Sequence, residues 1–292
     1  MKVLFIVNPK SGRGEGSTVE MLISEESRRQ GFDFLIYRLN KEENEKHIWN
    51  EINAYSPDII AGAGGDGTIN FLAKLLQGSD IPLLIIPLGS ANGMAKELNI
   101  GGRLDYAFSL ITKGVKRPID LLKINGHTCI HLADVGLNAR IVKRFEQDPK
   151  RGLWTYARHL FREIFLIKNY RFYIEQEGRP FIRKAVSLTF ANASKYGTGA
   201  VINPVGKLDD GKFELVIIKP FPRIKLLSIG WKMFRGTLES SEYVDVISCS
   251  NALIRTSKRT TLQVDGEIIG KVKEIKVEIL HKALTLIVPE ED

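Results

Sequence analysis

The segment at residues 63–68 has the residue types that a phosphate-binding loop requires. It reads Ala-Gly-Gly-Asp-Gly-Thr and lies between an apolar stretch that predicts a strand and a pattern that predicts a helix. Glycine lets the backbone approach a ligand closely, so backbone amides and the helix N-terminus can face the phosphates. A carboxylate beside phosphates is favourable chiefly with a cation, so Asp66 also predicts Mg²⁺. A glycine-rich turn in which Asp66 caps the helix is the structural alternative.

Two other loops have compositions suited to the same chemistry. Residues 8–14 read Asn-Pro-Lys-Ser-Gly-Arg-Gly, with two glycines and two cations, but without the Gly-Lys-Ser/Thr of a Walker loop. Residues 87–93 read Pro-Leu-Gly-Ser-Ala-Asn-Gly and offer a hydroxyl and an amide that can hydrogen-bond phosphate or adenine. Each loop alone would be an ordinary turn. Together with residues 63–68 they favour a nucleotide site.

The first 120 residues must position these loops, and they alternate strand and helix patterns. Strands are predicted at residues 3–8, 32–39, 58–63 and 82–87, and helices at residues 18–30, 41–55 and 68–76. This alternation predicts an α/β domain with a parallel sheet that is covered on both faces. Ligands of such sheets bind at the carboxyl ends of the strands, where all three loops begin.

From about residue 121 the pattern changes to extended stretches, one of which is a strand predicted at residues 128–134, and apolar and polar residues alternate most clearly at residues 272–279. Period two with one polar face predicts an antiparallel sheet. Helical patterns at residues 154–168 and 224–234 interrupt it. We therefore expect a nucleotide-binding domain at residues 1–122, with or without the last few C-terminal residues, and a β-rich second domain at residues 123–284. The cleft between two such domains is the expected active site.

Composition limits the class of protein. The 292 residues are 43% hydrophobic and 26% charged, which is typical of globular proteins. No stretch approaches the roughly 20 apolar residues of a membrane span, and no signal-peptide core follows Met1. Two cysteines provide neither a disulfide framework nor a zinc-ligand spacing, so a cytoplasmic protein is expected. The net charge of +8 favours anionic partners: nucleotide phosphate, nucleic acid or an acidic lipid surface.

The three loops contain three motifs, in this order along the chain: Asn-Pro-x-Ser-Gly, Gly-Gly-Asp-Gly-Thr and Pro-x-Gly-Ser/Thr-x-Asn. They resemble the lipid kinase family that contains the bacterial diacylglycerol kinases and the sphingosine kinases. Later segments that fit the same family lie at residues 117–122, 136–139, 203–211 and 263–267. Gly-Gly-Asp-Gly-Thr alone is shared with NAD kinases, whereas the late Asp-Gly-Glu is specific to the lipid branch.

The resemblance implies a fold and an activity. The implied fold has an N-terminal domain like those of NAD kinase and phosphofructokinase, followed by a β-rich second domain. The implied activity is transfer of the ATP γ-phosphate to a lipid hydroxyl, with ATP and Mg²⁺ as cofactors. ATP contacts are implied for Asn8, Asn40, Gly64, Gly65, Asp66, Gly67, Thr68, Ile69, Asn70 and Ser90. Asn40 stands where relatives often have Thr.

The resemblance also assigns roles in the second domain. Glu267 matches the general base that accepts the proton of the lipid hydroxyl, with Asp66 as the second catalytic carboxylate. Without the family, residues 264–267 would read as a hairpin turn. Asp210 matches a structural Mg²⁺ ligand, which the backbone carbonyls of Lys207 and Lys212 complete. A plain Asp-Gly turn is the alternative at this position.

Two departures leave the lipid open. Gly93 and Asn138 stand where diacylglycerol kinases usually carry Asp, and residues 90–95 look closer to the sphingosine kinase loop. Diacylglycerol is the first choice, and a sphingoid base, a ceramide-type lipid or another lipid alcohol are alternatives. Two further alternatives are an NAD kinase-like enzyme with a soluble substrate, and a non-catalytic nucleotide or lipid sensor.

Two segments could meet a membrane. Residues 153–165 place apolar side chains on one helical face, for which core packing is the favoured interpretation. Residues 224–234 combine apolar side chains with cations such as Arg223, Lys225 and Lys232, so both membrane docking and core packing fit. We expect peripheral association with an anionic membrane surface, where the lipid substrate resides. No nucleic-acid partner is expected, and a homodimer stays open.

Overall fold

The structure is a computed structural model, which describes residues 1–11, 16–40, 45–137, 139, 168–196 and 199–290. The chain forms two compact units. The first contains Met1–Ile119 and Lys282–Asp292, and the second contains Asp120–His281. The second unit begins and ends three residues earlier than the second domain expected from the sequence at residues 123–284.

The first unit alternates strands with helices. Its strands are β1 (Lys2–Val7), β2 (Asp33–Arg38), β3 (Ile59–Gly64) and β4 (Leu83–Pro87). Its helices are α1 (Gly16–Gln30), α2 (Glu45–Tyr55), α3 (Asp66–Leu75), α4 (Gly93–Glu97) and α5 (Leu104–Lys113). The strands form a parallel sheet in the order β4-β3-β1-β2. β3 and β4 are buried along their whole length, as strands covered on both faces are.

The register of this sheet brings the three glycine-containing loops to one edge. Val7 at the end of β1 pairs with Ala63, and Gly64 at the end of β3 pairs with Pro87. The residues that follow β1, β3 and β4 therefore start side by side. Three aromatic rings pack together in the otherwise mainly aliphatic core of this unit: the ring of Phe5 lies 6.1 Å from the rings of both Phe32 and Phe108.

The second unit is built mainly of antiparallel strands. They are β5 (Val115–Ile124), which begins in the first unit, β6 (His127–Cys129), β7 (Leu132–Gly136), β8 (Tyr170–Gln176), β9 (Arg179–Ala185), β10 (Ser187–Ala191), β11 (Phe213–Ile218), β12 (Val244–Cys249), β13 (Asn251–Val264) and β14 (Glu267–Val288). Their order is β12-β11-β10-β7-β13-β14, and the β8–β9 hairpin pairs with β13. Phe172, Phe190 and Phe213 fill the core of this unit. The end of β14 belongs to the first unit, where Leu286 pairs with Leu83 in parallel.

One helix of the second unit packs on the sheet. A 3₁₀ turn (Arg223–Lys225) leads into α6 (Leu226–Arg235), and a second 3₁₀ turn (Leu238–Ser240) follows. Ile229 of α6 is buried in a smaller core cluster against Val216 of β11 and Val244 of β12. The helix expected at residues 154–168 lies outside the described residues, apart from its last position.

The predicted fold class is confirmed: the first unit has a parallel α/β sheet and the second an antiparallel β architecture. One expected strand is interrupted. The stretch at residues 128–134 divides into β6 and β7, because the backbone N–H groups of Ile130 and His131 donate to the Asp265 carboxylate instead of to a neighbouring strand.

Candidate active site

The connection between β3 and α3 carries the Gly-Gly-Asp-Gly-Thr motif. Gly65 is the extended N-cap residue, and α3 begins at Asp66. The Gly65 carbonyl accepts hydrogen bonds from Thr68 N and Ile69 N, at 2.9 and 3.1 Å, which closes the first turn of the helix. The amino end of α3 therefore lies at the carboxyl edge of the parallel sheet. Its partial positive charge favours an anion there.

Asn8, which follows β1, is tied to this connection. Its Nδ2 donates to Thr68 Oγ1 at 3.0 Å, and its Oδ1 accepts the N–H of Lys10 at 3.0 Å. The Thr68 side chain in turn leaves no room beside β3, because a Cβ on Gly64 would lie 2.3 Å from Thr68 Oγ1. The first glycine of the motif is therefore required by packing, with or without a ligand.

The loop after β4 is joined to the same connection. Asp66 Oδ1 accepts the N–H of Gly93 at 2.6 Å, and a Cβ on Gly89 would lie 2.6 Å from Gly65 Cα. The Asn92 amide closes this loop by bonding both the N–H and the carbonyl of Gly89, at 2.8 and 2.7 Å. Asp66 thus anchors Gly93, the residue that stands where diacylglycerol kinases usually carry Asp. The other departure, Asn138, lies outside the described residues.

A cavity of about 290 Å³ opens beside the amino end of α3. Its lining residues are Asn8, Lys10, Leu39, Asn40, Gly67, Thr68 and Phe71. Four of them were expected from the sequence to contact ATP. Leu39 and Phe71 were missed, because an apolar residue just after a strand or within a helix has no signal that separates a ligand contact from core packing.

The remaining nucleotide residues expected from the sequence differ in exposure. Ser90 is exposed next to Gly89, and Asn70 is half-buried. The Ile69 side chain is buried in the inner face of α3, and its N–H is bonded to Gly65. Ile69 therefore presents neither its side chain nor an unbonded amide to the loop.

In the second unit, Asp265 organises the turn that precedes Glu267. Its carboxylate accepts the backbone N–H groups of Ile130, His131 and Leu132 at 2.9 to 3.0 Å, and the Cys129 thiol lies 3.3 Å away. Desolvation raises the pKa of the Asp265 carboxyl, while these donors act in the opposite direction. Burial likewise raises the pKa of the Cys129 thiol well above its ordinary value.

A buried polar chain supports the same turn from its other side. Gln263 Oε1 accepts the N–H of Gly266 at 2.7 Å, and Gln263 Nε2 donates to Asp134 Oδ2 at 2.5 Å. Asp134 also accepts hydrogen bonds from Thr189 and from the Tyr196 hydroxyl. Glu267 itself is exposed at the start of β14. Sequence reasoning missed Asp134 and included Gln263 only as the first residue of the segment at residues 263–267, although polar residues inside apolar strands were a signal for both.

The loop at residues 207–212 is held by Asp120. The Asp120 carboxylate accepts the N–H of Gly211 at 2.6 Å, and His281 Nδ1 lies 2.8 Å from its other oxygen. Asp210 is exposed, and its carboxylate accepts the N–H of Lys212 at 3.1 Å. Within the described part of the chain, no group of three or more His, Cys, Asp or Glu side chains could hold a metal. A cation here would therefore need backbone carbonyls besides Asp210, and oxygen donors of this kind fit Mg²⁺.

Comparison with known proteins decides the family. Residues 2–124 match the family described as "Diacylglycerol kinase catalytic domain". Residues 132–288, more than half of the chain, match the "YegS C-terminal NAD kinase beta sandwich-like domain". The chain belongs to the diacylglycerol kinase and YegS family of lipid kinases. The family resemblance read from the motifs and the prediction of a lipid kinase are thereby confirmed.

The sequence similarity between this lipid kinase and individual relatives covers most of the chain. The diacylglycerol kinase of Bacillus subtilis (strain 168) is 25% identical over 292 residues, covering 98% of this chain and 96% of that protein. The Citrobacter koseri protein named "Probable lipid kinase YegS-like" is 30% identical over 240 residues, covering 79% and 78%. A crystal structure of a diacylglycerol kinase from Bacillus anthracis str. Sterne superposes with a TM-score of 0.75 at 21% identity, over 98% of this chain and 96% of that one, and it supports the fold.

Within the residues that the structure describes, no helix is long and apolar enough to cross a bilayer.

Proposed function

We propose that this lipid kinase transfers the γ-phosphate of ATP to the hydroxyl of diacylglycerol. The observation that carries the proposal is the joining of three strand-end loops around the amino end of α3, through the Asn8–Thr68 and Asp66–Gly93 hydrogen bonds. The B. subtilis diacylglycerol kinase, which aligns with 98% of this chain, supports the choice of acceptor.

The cavity beside α3 would take the nucleoside. Leu39 and Phe71 offer apolar surface for the adenine ring, and the amides of Asn8 and Asn40 offer hydrogen bonds to its edge or to the ribose. Lys10 adds a positive charge to the lining. In the proposal the phosphates extend toward the motif residues Gly64, Gly65, Gly67, Thr68, Asn70 and Ser90. Ile69 would contribute only by placing the first turn of α3.

Two groups of residues would hold Mg²⁺. Asp66, at the amino end of α3, would hold the cation that accompanies the phosphates. Mg²⁺ would there neutralise the charge that develops on the transferred phosphoryl group. Asp210, with the backbone carbonyls of Lys207 and Lys212, would hold a structural cation at an exposed turn. The anchoring of this loop through Asp120 supports that role, because it restricts the backbone from which two of the ligands come.

Glu267 would act as the general base. It is exposed, so its carboxylate can reach an incoming hydroxyl, and the turn before it is held by Asp265 and Gln263. Phosphoryl transfer through a loose transition state needs the acceptor hydroxyl oriented, with its proton removed as the new bond forms. A carboxylate next to a turn that is held in place can do both.

The proposal divides the work along the chain. Residues 1–122, with the C-terminal residues that pair with β4, would bind the nucleotide. Residues 123–284 would supply the base and the structural cation. The protein would associate peripherally with the cytoplasmic membrane surface, because its acceptor resides there.

Transfer of a radiolabelled γ-phosphate from ATP tests the proposal. The full-length protein is incubated with Mg·ATP and either extracted total lipid or NAD, and the products are separated by chromatography. Label is expected in phosphatidic acid. A second assay compares dioctanoylglycerol, sphingosine and ceramide in the same detergent.

The outcomes separate the alternatives. Label in sphingosine or ceramide alone would keep lipid phosphorylation and correct the acceptor. Label in NADP with none in lipid would replace the proposal by a soluble-substrate kinase. A folded protein that binds ATP and labels no acceptor would instead favour a sensor.

A further inference from the structure

The segment formed by the 3₁₀ turn Arg223–Lys225 and helix α6 is unusual in its exposure. Of the large apolar side chains in the described residues, the four most exposed are Ile224 at 83%, Met21 at 73%, Phe234 at 70% and Trp231 at 63%. Three of these four lie within eleven consecutive residues. Single exposed apolar side chains need no explanation, but a group of this size marks an interaction surface.

The other face of α6 holds the helix firmly on the second unit. Ile229 is buried, and Met233 packs on the same cluster. The Met233 carbonyl accepts the N–H of Val201 at 2.9 Å. Trp231 and Phe234, three residues apart, fall on the opposite side of the helix from Ile229 and Met233 at 3.6 residues per turn. The helix is therefore anchored by one face and presents two aromatic rings on the other.

The charged side chains of the segment itself have one sign. Residues 220–238 contain Arg223, Lys225, Lys232 and Arg235 and no Asp or Glu, so the segment carries a formal charge of +4. The Arg235 guanidinium lies 5.1 Å from the centre of the Trp231 ring, which places a cation beside the exposed aromatic surface. Aromatic rings at the level of the head groups, flanked by Lys and Arg, suit the surface of an anionic bilayer.

We propose that residues 223–235, with Ile224, Trp231 and Phe234 inserted among the lipids, dock this protein on anionic membranes. The choice of a bilayer over a second copy of the chain rests on the proposed function, since the acceptor is a membrane lipid, and on the charge. Two copies would bring equal positive charges together across a symmetric interface, whereas anionic head groups complement them.

Vesicle flotation with the full-length protein tests the site. The vesicles are phosphatidylcholine with or without phosphatidylglycerol, and they contain neither diacylglycerol nor ATP, so binding is measured without turnover. Wild type is expected to float with the anionic vesicles and much less with the neutral ones, and salt should weaken the binding. Trp231→Ala combined with Phe234→Ala should lower the affinity on the order of tenfold or more.

Substitution of a second exposed isoleucine, Ile182, tests whether the loss of any exposed apolar side chain would weaken vesicle binding as much as the loss of Ile224. Ile182 on β9 is 54% exposed, lies in the same unit and is followed by Arg183. Ile224→Ser should weaken vesicle binding severalfold, and Ile182→Ser should not. Thermal unfolding by circular dichroism verifies that each variant is folded.

Three results would overturn the docking site. They are a wild type that ignores anionic vesicles, an aromatic double variant that binds as tightly as wild type, and an Ile182→Ser variant that loses as much as Ile224→Ser. The second result includes the case in which the wild type is a dimer and the double variant is a monomer that binds vesicles as tightly as wild type. Failure of the proposed function can be distinguished from failure of the docking site. If the protein floats with vesicles but phosphorylates no lipid, the docking site stands and the proposed function does not. If the protein phosphorylates detergent-dispersed diacylglycerol but does not need Trp231 and Phe234 for flotation, the function stands and the docking site does not.

Discussion

The strand-end loops of the first unit and the turn before Glu267 in the second unit are held in place by opposite means. The loops depend on missing side chains: a Cβ would lie 2.3 Å from Thr68 Oγ1 at Gly64, and 2.6 Å from Gly65 Cα at Gly89. The turn depends on a side chain that is present, because the Asp265 carboxylate gathers three backbone N–H groups.

This difference decides what a substitution can reveal. At Gly64 and Gly65, the residue that packs the backbone is also one proposed to bind phosphate, so stability and binding change together there. In the turn, Asp265 holds the backbone and Glu267 is proposed to do the chemistry. The two roles can therefore be removed one at a time.

The largest effect is expected from Glu267→Gln. Glutamine keeps the size and most hydrogen bonding but cannot accept the proton, so turnover should fall on the order of 10² to 10⁴ while ATP affinity stays unchanged. Glu274→Gln is the matched control, because Glu274 is an exposed carboxylate on the same strand that pairs with Arg255. Steady-state kinetics at saturating lipid measures both. Near-normal turnover of Glu267→Gln would show that another group takes the proton.

Next in size is Asp66→Asn. The amide oxygen can still accept the Gly93 N–H, so the loops should stay joined while the negative charge is lost. Affinity for Mg·ATP should fall about ten- to a hundredfold, as for loss of a charged contact. Asp105→Asn is the control, since Asp105 also lies in the first turn of a helix of this unit. Calorimetric titration of Mg·ATP that finds the same affinity in both variants would remove Asp66 from the metal site.

A pair of glycine substitutions separates packing from binding within the loops. Gly89→Ala should destabilise the first unit by about 1 to 3 kcal/mol, because the new Cβ meets backbone. Gly67→Ala should leave stability almost unchanged, since no atom lies within 4 Å of the new Cβ, and should weaken only ATP binding. Chemical denaturation and ATP titration compare the two. Unchanged ATP affinity in Gly67→Ala would place the phosphates away from Gly67.

The same comparison bears on a substitution of Gly65. The motif by itself suggests that Gly65→Val would weaken ATP binding and leave the fold intact. A Cβ on Gly65 would lie 3.2 Å from Gly89 Cα, so a side chain there also disturbs the packing between the two loops. Gly67 is therefore the cleaner position.

The smallest effect is expected from Asp265→Asn. Asparagine keeps one oxygen for His131 and Leu132 but turns an amide donor toward the Ile130 N–H, and it also removes the cost of a desolvated charge. The free energy of unfolding should fall by about 1 kcal/mol. Asp245→Asn, at a partly exposed ion pair with Lys219, should change it less. Equal urea midpoints for Asp265→Asn and wild type would contradict the assigned role of Asp265.

Much of the fold could be predicted from local patterns. Continuous apolar strands separated by helices indicated the parallel sheet, and alternation at residues 272–279 indicated the antiparallel one. The division of residues 128–134 into β6 and β7 could not be predicted, because its cause, Asp265, is far away in the sequence. Residues 224–234 fitted both core and surface, and only the packing shows that Ile229 faces inward while Trp231 faces solvent.

The sequence by itself determined the family and the residue types of the candidate site, because the order and spacing of the Gly-Gly-Asp-Gly-Thr and Asp-Gly-Glu motifs are local properties of the chain. Only the tertiary structure decided which partners hold those residues. Asp66 meets Gly93 and Asp265 meets the backbone of residues 130–132 because strand pairing brings distant segments within hydrogen-bond distance. No periodicity encodes such contacts, since each depends on the register of strands far apart in the chain.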